Sequence, residues 1–315
     1  MLTAFMHVMS YLGSAGFTIP LLAAVYWCVD PRLAARGTVI LAFGSVINTV
    51  LKLVFHAPRP YWTDPGITGR ESRTSFGMPS GHSQNAVILW GFFATRTRRW
   101  LLWAGAVIAV VLIGVSRVYL GVHSTGQVLA GWAVGLVVLV AALGLEPLLV
   151  PWWTRRPLAV QLALALAVSL AGVGAGWAAV HSLHAWQWPD AWARAIVAAG
   201  GRTRPITMNE VAAASGGLCG LLAGLSLMSA RGWFDAGGEP WRRLARLPVG
   251  VAGALALSAL GYLLGVHPVP AFAVQMLLGL WATAGAPEAF VRLGLARRPA
   301  PAVGRPGDGL AELRQ

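Results

Sequence analysis

Residues 100–150, Trp-Leu-Leu-Trp-Ala-Gly-Ala-Val-Ile-Ala-Val-Val-Leu-Ile-Gly-Val-Ser-Arg-Val-Tyr-Leu-Gly-Val-His-Ser-Thr-Gly-Gln-Val-Leu-Ala-Gly-Trp-Ala-Val-Gly-Leu-Val-Val-Leu-Val-Ala-Ala-Leu-Gly-Leu-Glu-Pro-Leu-Leu-Val, decide the fold class. They read as two apolar runs, 100–120 and 124–150, separated by a short polar step around His123. Each run reaches the roughly 20 residues that a helix needs to cross a bilayer. The same pattern extends both ways, giving further apolar stretches at 8–29, 36–56, 81–95, 157–180, 209–229, 247–266 and 270–287. The expectation is an all-α, polytopic helical membrane protein with nine candidate spans. The shortest of them, 81–95, carries Ser83, Gln84 and Asn85 at one end and reads as a span with a wet end.

Composition agrees. The 315 residues are 57% hydrophobic and 11% charged, which is too apolar for a soluble domain. The formal charge of +13 would point to nucleic acid in a soluble protein. In a membrane protein, basic residues collect in cytoplasmic loops, and no nucleic-acid partner is expected. With the N-terminus outside, inner segments hold most of the 24 basic residues, among them Arg96, Arg98, Arg99, Arg155, Arg156, Arg242, Arg243 and Arg246. The N-terminal stretch lacks a basic n-region and a small-residue cleavage site and reads as a retained span. Cys28 and Cys219 sit apart in apolar stretches and read as inert packing residues. Abundant Ala, Gly, Arg and Pro point to a GC-rich bacterial genome and an inner membrane.

The orientation places a set of polar residues on one outer face. Lys52 is the sole lysine, and Arg59 follows it in the pattern K-x6-R-P. Pro79-Ser80-Gly81-His82 comes next, then Ser116-Arg117 with His123 in the pattern S-R-x5-H. A phosphoryl group in transfer spreads charge over its equatorial oxygens, so its site needs several donors converging on one point. Lys52, Arg59 and Arg117 supply them. Ser80 adds a hydroxyl, and Gly81 lets a backbone N–H approach at a helix start. Three cations without an anion repel one another; a phosphate resolves the conflict. Of His82 and His123, one attacks phosphorus and the other serves as acid and then base, so neither metal nor cofactor is required.

In order and spacing these three motifs resemble the type 2 phosphatidic acid phosphatase superfamily, which includes lipid phosphatases and glucose-6-phosphatases and shares its site with vanadium haloperoxidases. The resemblance covers the first six spans, to about 180. It implies a six-helix phosphatase core with about three extra C-terminal transmembrane helices. It also implies His123 as nucleophile, His82 as general acid, and Lys52, Arg59, Ser80, Gly81 and Arg117 as phosphate ligands. One position departs from the family: Gln127 stands where most members carry an aspartate that orients the nucleophilic ring. Its amide oxygen can still accept the ring N–H, with less charge stabilisation than a carboxylate. Asp64 and Glu71, carboxylates of the outer loop 57–80, would replace the aspartate if that loop folds over His123.

The chain therefore divides into a phosphatase core, 1–180, an accessory transmembrane region with an outer interfacial helix, 181–287, and a disordered cytoplasmic tail, 288–315. The expected partners are a phosphorylated amphiphilic substrate and membrane lipids, and the expected setting is a cell membrane with the site on its extracytoplasmic side. The substrate classes open are polyprenyl diphosphates, phosphatidate-type and sphingoid phosphates. A sugar phosphate is the enzymatic alternative, and a non-catalytic lipid-phosphate binding or transport protein is the alternative of another class. Glu210, entering the seventh span, reads as a favourable charge at a helix N-terminus. His7, His56, His181, His184 and His267 read as interfacial polar residues rather than metal ligands, because their spacing fits no ligand motif.

Overall fold

A computed structural model describes residues 1–201, 205–265 and 267–299. Its helices are α1 (Leu2–Leu12), α2 (Ala15–Cys28), α3 (Pro31–Phe55), α4 (Pro60–Thr63), α5 (Gly81–Thr95), α6 (Trp100–Tyr119), α7 (Thr125–Thr154), α8 (Leu158–Ser182), α9 (Asp190–Ala198), α10 (Asn209–Ala230), α11 (Pro240–Leu264), α12 (Pro268–Leu280) and α13 (Ala286–Arg292). One π-helical turn, Trp281–Gly285, joins α12 to α13. Among the described residues seven helical stretches are long and apolar enough to cross a membrane. The pair α1 and α2, bent by 49°, makes an eighth if it counts as one span. Leu101, Val107, Val137, Val140, Leu255 and Leu263 are exposed, a surface suited to acyl chains.

The ninth expected span differs. Helix α5 has 15 residues, about 22 Å at 1.5 Å per residue and short of a roughly 30 Å hydrocarbon core. It does not need that length, because other helices surround it: Ala86, Ile88, Leu89 and Phe92 are fully buried. The end expected to be wet is dry, since Ser83 and Gln84 are buried too. Asn48 on α3 donates to Gln84 Oε1 at 2.9 Å, and Gln84 Nε2 donates to Gly44 O at 2.7 Å. These bonds pair polar groups that would otherwise be costly to bury.

Close backbone approach sets the depth of α5 against α7. A Cβ at Gly131 would stand 2.5 Å from Ser80 O, and one at Gly135 would stand 2.7 Å from Gln84 O. Only glycine at both places lets the start of α7, which follows His123, lie against the start of α5, which carries His82.

The C-terminal helices pack by the same rule. Along α10, Gly216, Gly220 and Gly224 recur every four residues and face Phe272, Met276 and Thr283 of the α12 arm. Such small-xxx-small stripes let helix backbones approach where no hydrophobic effect drives association. In the first turns of α11, Arg246, counted in the sequence as a loop charge, is a buried clamp. It donates to Trp27 O at 2.9 Å, Ala236 O at 2.6 Å, Gly237 O at 2.7 Å and Leu295 O at 2.8 Å. The disorder expected from 288 does not hold over 288–299: α13 runs to Arg292, and Asp235 N donates to Arg297 O at 2.8 Å. The rest of that tail, 300–315, lies outside the described residues.

The short helix α9 packs one face on the protein. Ile196 of α9 is fully buried, and Trp192 packs on Trp62 of α4 at 5.9 Å between ring centroids and on Trp186 at the same distance. These tryptophans belong to an aromatic layer with Phe76 behind the loop 57–80.

Replacing Gly220 by Val forces α10 off α12. We expect a loss of about 1–3 kcal/mol of stability, the usual range for overpacking. A lowered apparent melting temperature in detergent, against an unchanged one for the same substitution at Gly217, which has open space at its Cβ, is the check.

Candidate active site

The C-terminal ends of α3 and α6 and the N-terminal ends of α5 and α7 bring the motif residues together. Arg59 is the pivot. It precedes α4 and is 2% exposed, yet it is fully engaged: Nε donates to Ser75 O at 2.8 Å, Nη1 to Val122 O at 2.9 Å, and Nη2 to Phe76 O at 3.3 Å. Nη1 also lies 3.1 Å from His123 Nε2. Lys52, in the last turn of α3, donates to Ser75 Oγ at 3.0 Å, and Arg59 Nη2 reaches the same oxygen at 3.3 Å.

The His123 ring is held from both sides. Its Nδ1 is 3.1 Å from Gln127 Oε1. An amide oxygen only accepts, so Nδ1 carries the proton and Nε2 presents its lone pair. Gln127 Nε2 donates to Pro58 O at 2.7 Å, and its Oε1 also accepts from Ser124 N at 3.3 Å. Ser124 and Gln127 form the capping box of α7, a signal present in the sequence as Ser124-Thr125-Gly126-Gln127. Thus Gln127 caps a helix, fixes the tautomer of His123 and ties the segment before Arg59 to α7. An aspartate would keep the second task and lose the bond to Pro58. Neither Asp64 nor Glu71 replaces it: Asp64 accepts from Gly66 N at 2.8 Å, and Glu71 accepts from Arg117 Nη1 at 3.0 Å.

Ser80 is the N-cap of α5 and accepts from Ser83 N at 3.4 Å and Ser83 Oγ at 3.0 Å. Both contacts use its lone pairs, so its own hydroxyl proton remains a donor. Gly81 opens the helix, where first-turn N–H groups have no partner within the helix. A Cβ at Gly81 would stand 3.1 Å from Asn48 Oδ1, which explains the small residue. Among the described residues His82 Nε2 and Arg117 Nε and Nη2 are buried without a hydrogen-bond partner. Buried donors of this kind call for an acceptor.

Two contributors escaped the motifs. Ser75 holds both Lys52 and Arg59, and nothing distinguishes it in sequence from the other polar residues of its loop. Glu210, read as a helix-start charge, does lie in the first turn of α10, but it also lines a small pocket with Lys52, Thr49, Ser75 and Thr207. The accessory region therefore reaches the site.

Burial, followed by the charges of Arg59, Arg117 and Lys52, holds His123 well below the usual histidine range. A depressed histidine stays neutral to lower pH, and its function is lost only as pH falls through the depressed value. The acid limb of kcat/KM should therefore lie below the ordinary histidine value of about 6.5; a limb at or above it, in a pH profile of purified protein, contradicts the environment described. For Gln127, we expect Gln127→Asp to remain competent and Gln127→Ala, which frees the ring, to lose on the order of 100-fold in kcat/KM. A folded but dead Gln127→Asp would assign Gln127 another task.

Comparison with known proteins identifies the family. Residues 34–151 match the PAP2 superfamily model, and residues 212–298 match the model described as PAP2 superfamily phosphatase, transmembrane extension. Phosphatidylglycerophosphatase B of Bacillus subtilis (strain 168) is 32% identical over 151 residues, 44% of this chain and 71% of that protein. Lipid phosphate phosphatase delta of Arabidopsis thaliana is 30% identical over 153 residues, and sphingosine-1-phosphate phosphatase 2 of Homo sapiens 34% over 151. The chain spans only 37% and 36% of those two relatives' lengths. A solved structure, of the first transmembrane PAP2 type phosphatidylglycerolphosphate phosphatase from Bacillus subtilis, is 26% identical with a TM-score of 0.40, covering 47% of this chain and 78% of that one. The chain belongs to the PAP2 superfamily and carries its transmembrane extension. It is a multi-pass membrane protein.

Proposed function

We propose that this protein is a metal-independent phosphatase that hydrolyses a lipid phosphate or diphosphate monoester through a phosphohistidine, at the extracytoplasmic face of a cell membrane. The observation that carries the proposal is His123 Nε2, an unprotonated nitrogen beside the Arg59 guanidinium. In the first step Nε2 attacks phosphorus and forms the P–N bond. The P–O bond to the lipid breaks, and His82 gives the leaving alkoxide its proton. In the second step His82 takes a proton from water, whose oxygen displaces His123 and releases phosphate. A phosphate dianion among Lys52, Arg59 and Arg117 favours the protonated form of His82. The charge that develops on the equatorial oxygens meets those cations, the Ser80 hydroxyl and the N–H groups at the start of α5, centred on Gly81.

A lipid substrate is favoured because the site lies at the ends of membrane helices, so a head group enters while its chain stays between them. The relatives agree with this reading, being named lipid phosphate phosphatase, phosphatidylglycerophosphatase and sphingosine-1-phosphate phosphatase. In the division of the chain we propose, 1–180 supplies the chemistry and 181–287 shapes its rim through Glu210.

The test is phosphate release by purified protein in detergent across prenyl, glycerolipid, sphingoid and sugar phosphates, with His123→Ala as blank, alongside labelling with a radioactive phosphoryl donor. We expect a lipid phosphate to be preferred and label to be trapped on His123. A preference for sugar phosphates overturns the lipid assignment. Binding without release or labelling supports the carrier alternative.

A further inference from the structure

Glu71 belongs to none of the three motifs, yet it reaches the site through Arg117. That arginine is fully buried in the last turn of α6. Its Nη1 donates to Glu71 Oε2 at 3.0 Å and contacts Ser10 Oγ of α1. Its Nε and Nη2 are buried and unpartnered among the described residues. A guanidinium offers a planar fork along its Nε–Nη2 edge that matches two oxygens of a phosphate. With Nη1 committed to Glu71, that edge is the part left for the substrate.

Glu71 is itself held from three sides. Arg73 Nη2 donates to Oε2 at 2.9 Å, Ser10 Oγ donates to Oε1 at 3.3 Å, and His7 Nδ1 lies 3.5 Å from the same Oε1. Helix α1, the outer loop and α6 therefore meet at one carboxylate. Burial would raise this carboxyl, but Arg117 and Arg73 outweigh it and hold it below the usual carboxylate range, so it is ionised at neutral pH. A buried guanidinium beside two other cations needs such a counter-charge to stay in place.

We infer that Glu71 is a positioning residue: by pinning Nη1 of Arg117 it aims the opposite edge of the guanidinium at the substrate phosphate. This inference rests on the phosphatase proposal above. The competing role, a carboxylate that occupies Arg117 in place of phosphate and must be displaced, predicts the opposite sign.

The test uses full-length protein in detergent, with kcat/KM for a lipid phosphate and the affinity for vanadate, a phosphate stand-in, read from its protection against thermal unfolding. We expect Glu71→Gln to lower kcat/KM by about 10- to 100-fold and to weaken vanadate by a similar factor, and Glu71→Asp to lose only a few-fold. In an Arg117→Ala background the Glu71 substitutions should add nothing, because the residue acts through Arg117. Additive losses, or tighter vanadate binding in Glu71→Gln, overturn the inference. If Glu71→Gln does not fold, Glu71→Asp reads the same coupling: its loss vanishes in the Arg117→Ala background if the pair positions the arginine, and persists if it does not. A wild-type protein that neither releases phosphate nor binds vanadate overturns the phosphatase proposal, whereas an active, vanadate-binding wild type with additive losses overturns only the role of Glu71.

Discussion

Three cationic side chains from three separate segments, Lys52, Arg59 and Arg117, lie close enough to repel one another, and that repulsion is the constraint around which this end of the helix bundle is built. Two of the three are almost wholly buried. Taking a charge out of water costs several kcal/mol unless it is paired or hydrogen-bonded. The structure answers each case differently. Arg59 is wrapped by the carbonyls of Ser75, Phe76 and Val122, Lys52 by the hydroxyl of Ser75, and Arg117 by the carboxylate of Glu71. All these partners except Val122 come from the outer loop. The loop is thus the framework that holds the three cations in place.

Gln127 shows how one substitution from the family pattern is absorbed. Its oxygen takes over the orienting contact to His123, and its nitrogen, which a carboxylate lacks, holds Pro58 next to Arg59. His123 and the segment that leads into Arg59 are thereby coupled through a single side chain. A Cβ at Gly77 would stand 2.5 Å from Gln127 Nε2, so the loop glycine makes room for the longer amide. The amide bears no net charge, and burial, followed by the nearby cations, favours the neutral histidine.

The C-terminal helices are joined to the core by packing and by chemistry at once. Helix α10 lies against α3 and α8 on one side and, along its glycine stripe, against α12 on the other. Its first turn brings Glu210 beside Lys52.

Most of the architecture was legible in the chain because bilayer crossing imposes a length and an apolarity that local composition records directly. The seven long stretches follow from that, and the three motifs stand out by residue type and spacing, whereas the bend that divides the first span into α1 and α2 leaves no such record. Helix α5 was misjudged as a span with a wet end because burial by neighbouring helices, not by lipid, allows it to be short and polar at its start. The aromatic layer under α9 and the ordered stretch 288–299 were missed for a related reason, since both depend on partners far away in sequence. The chain by itself determined the membrane class, the identity of the converging cations and histidines, and the replacement of an aspartate by Gln127. Only the tertiary structure decided that Glu71 serves Arg117 and not His123, that Ser75 holds two cations, and that Glu210 reaches the site. Those assignments depend on which donor edge meets which acceptor across segments tens to more than a hundred residues apart, and sequence spacing carries no record of such geometry.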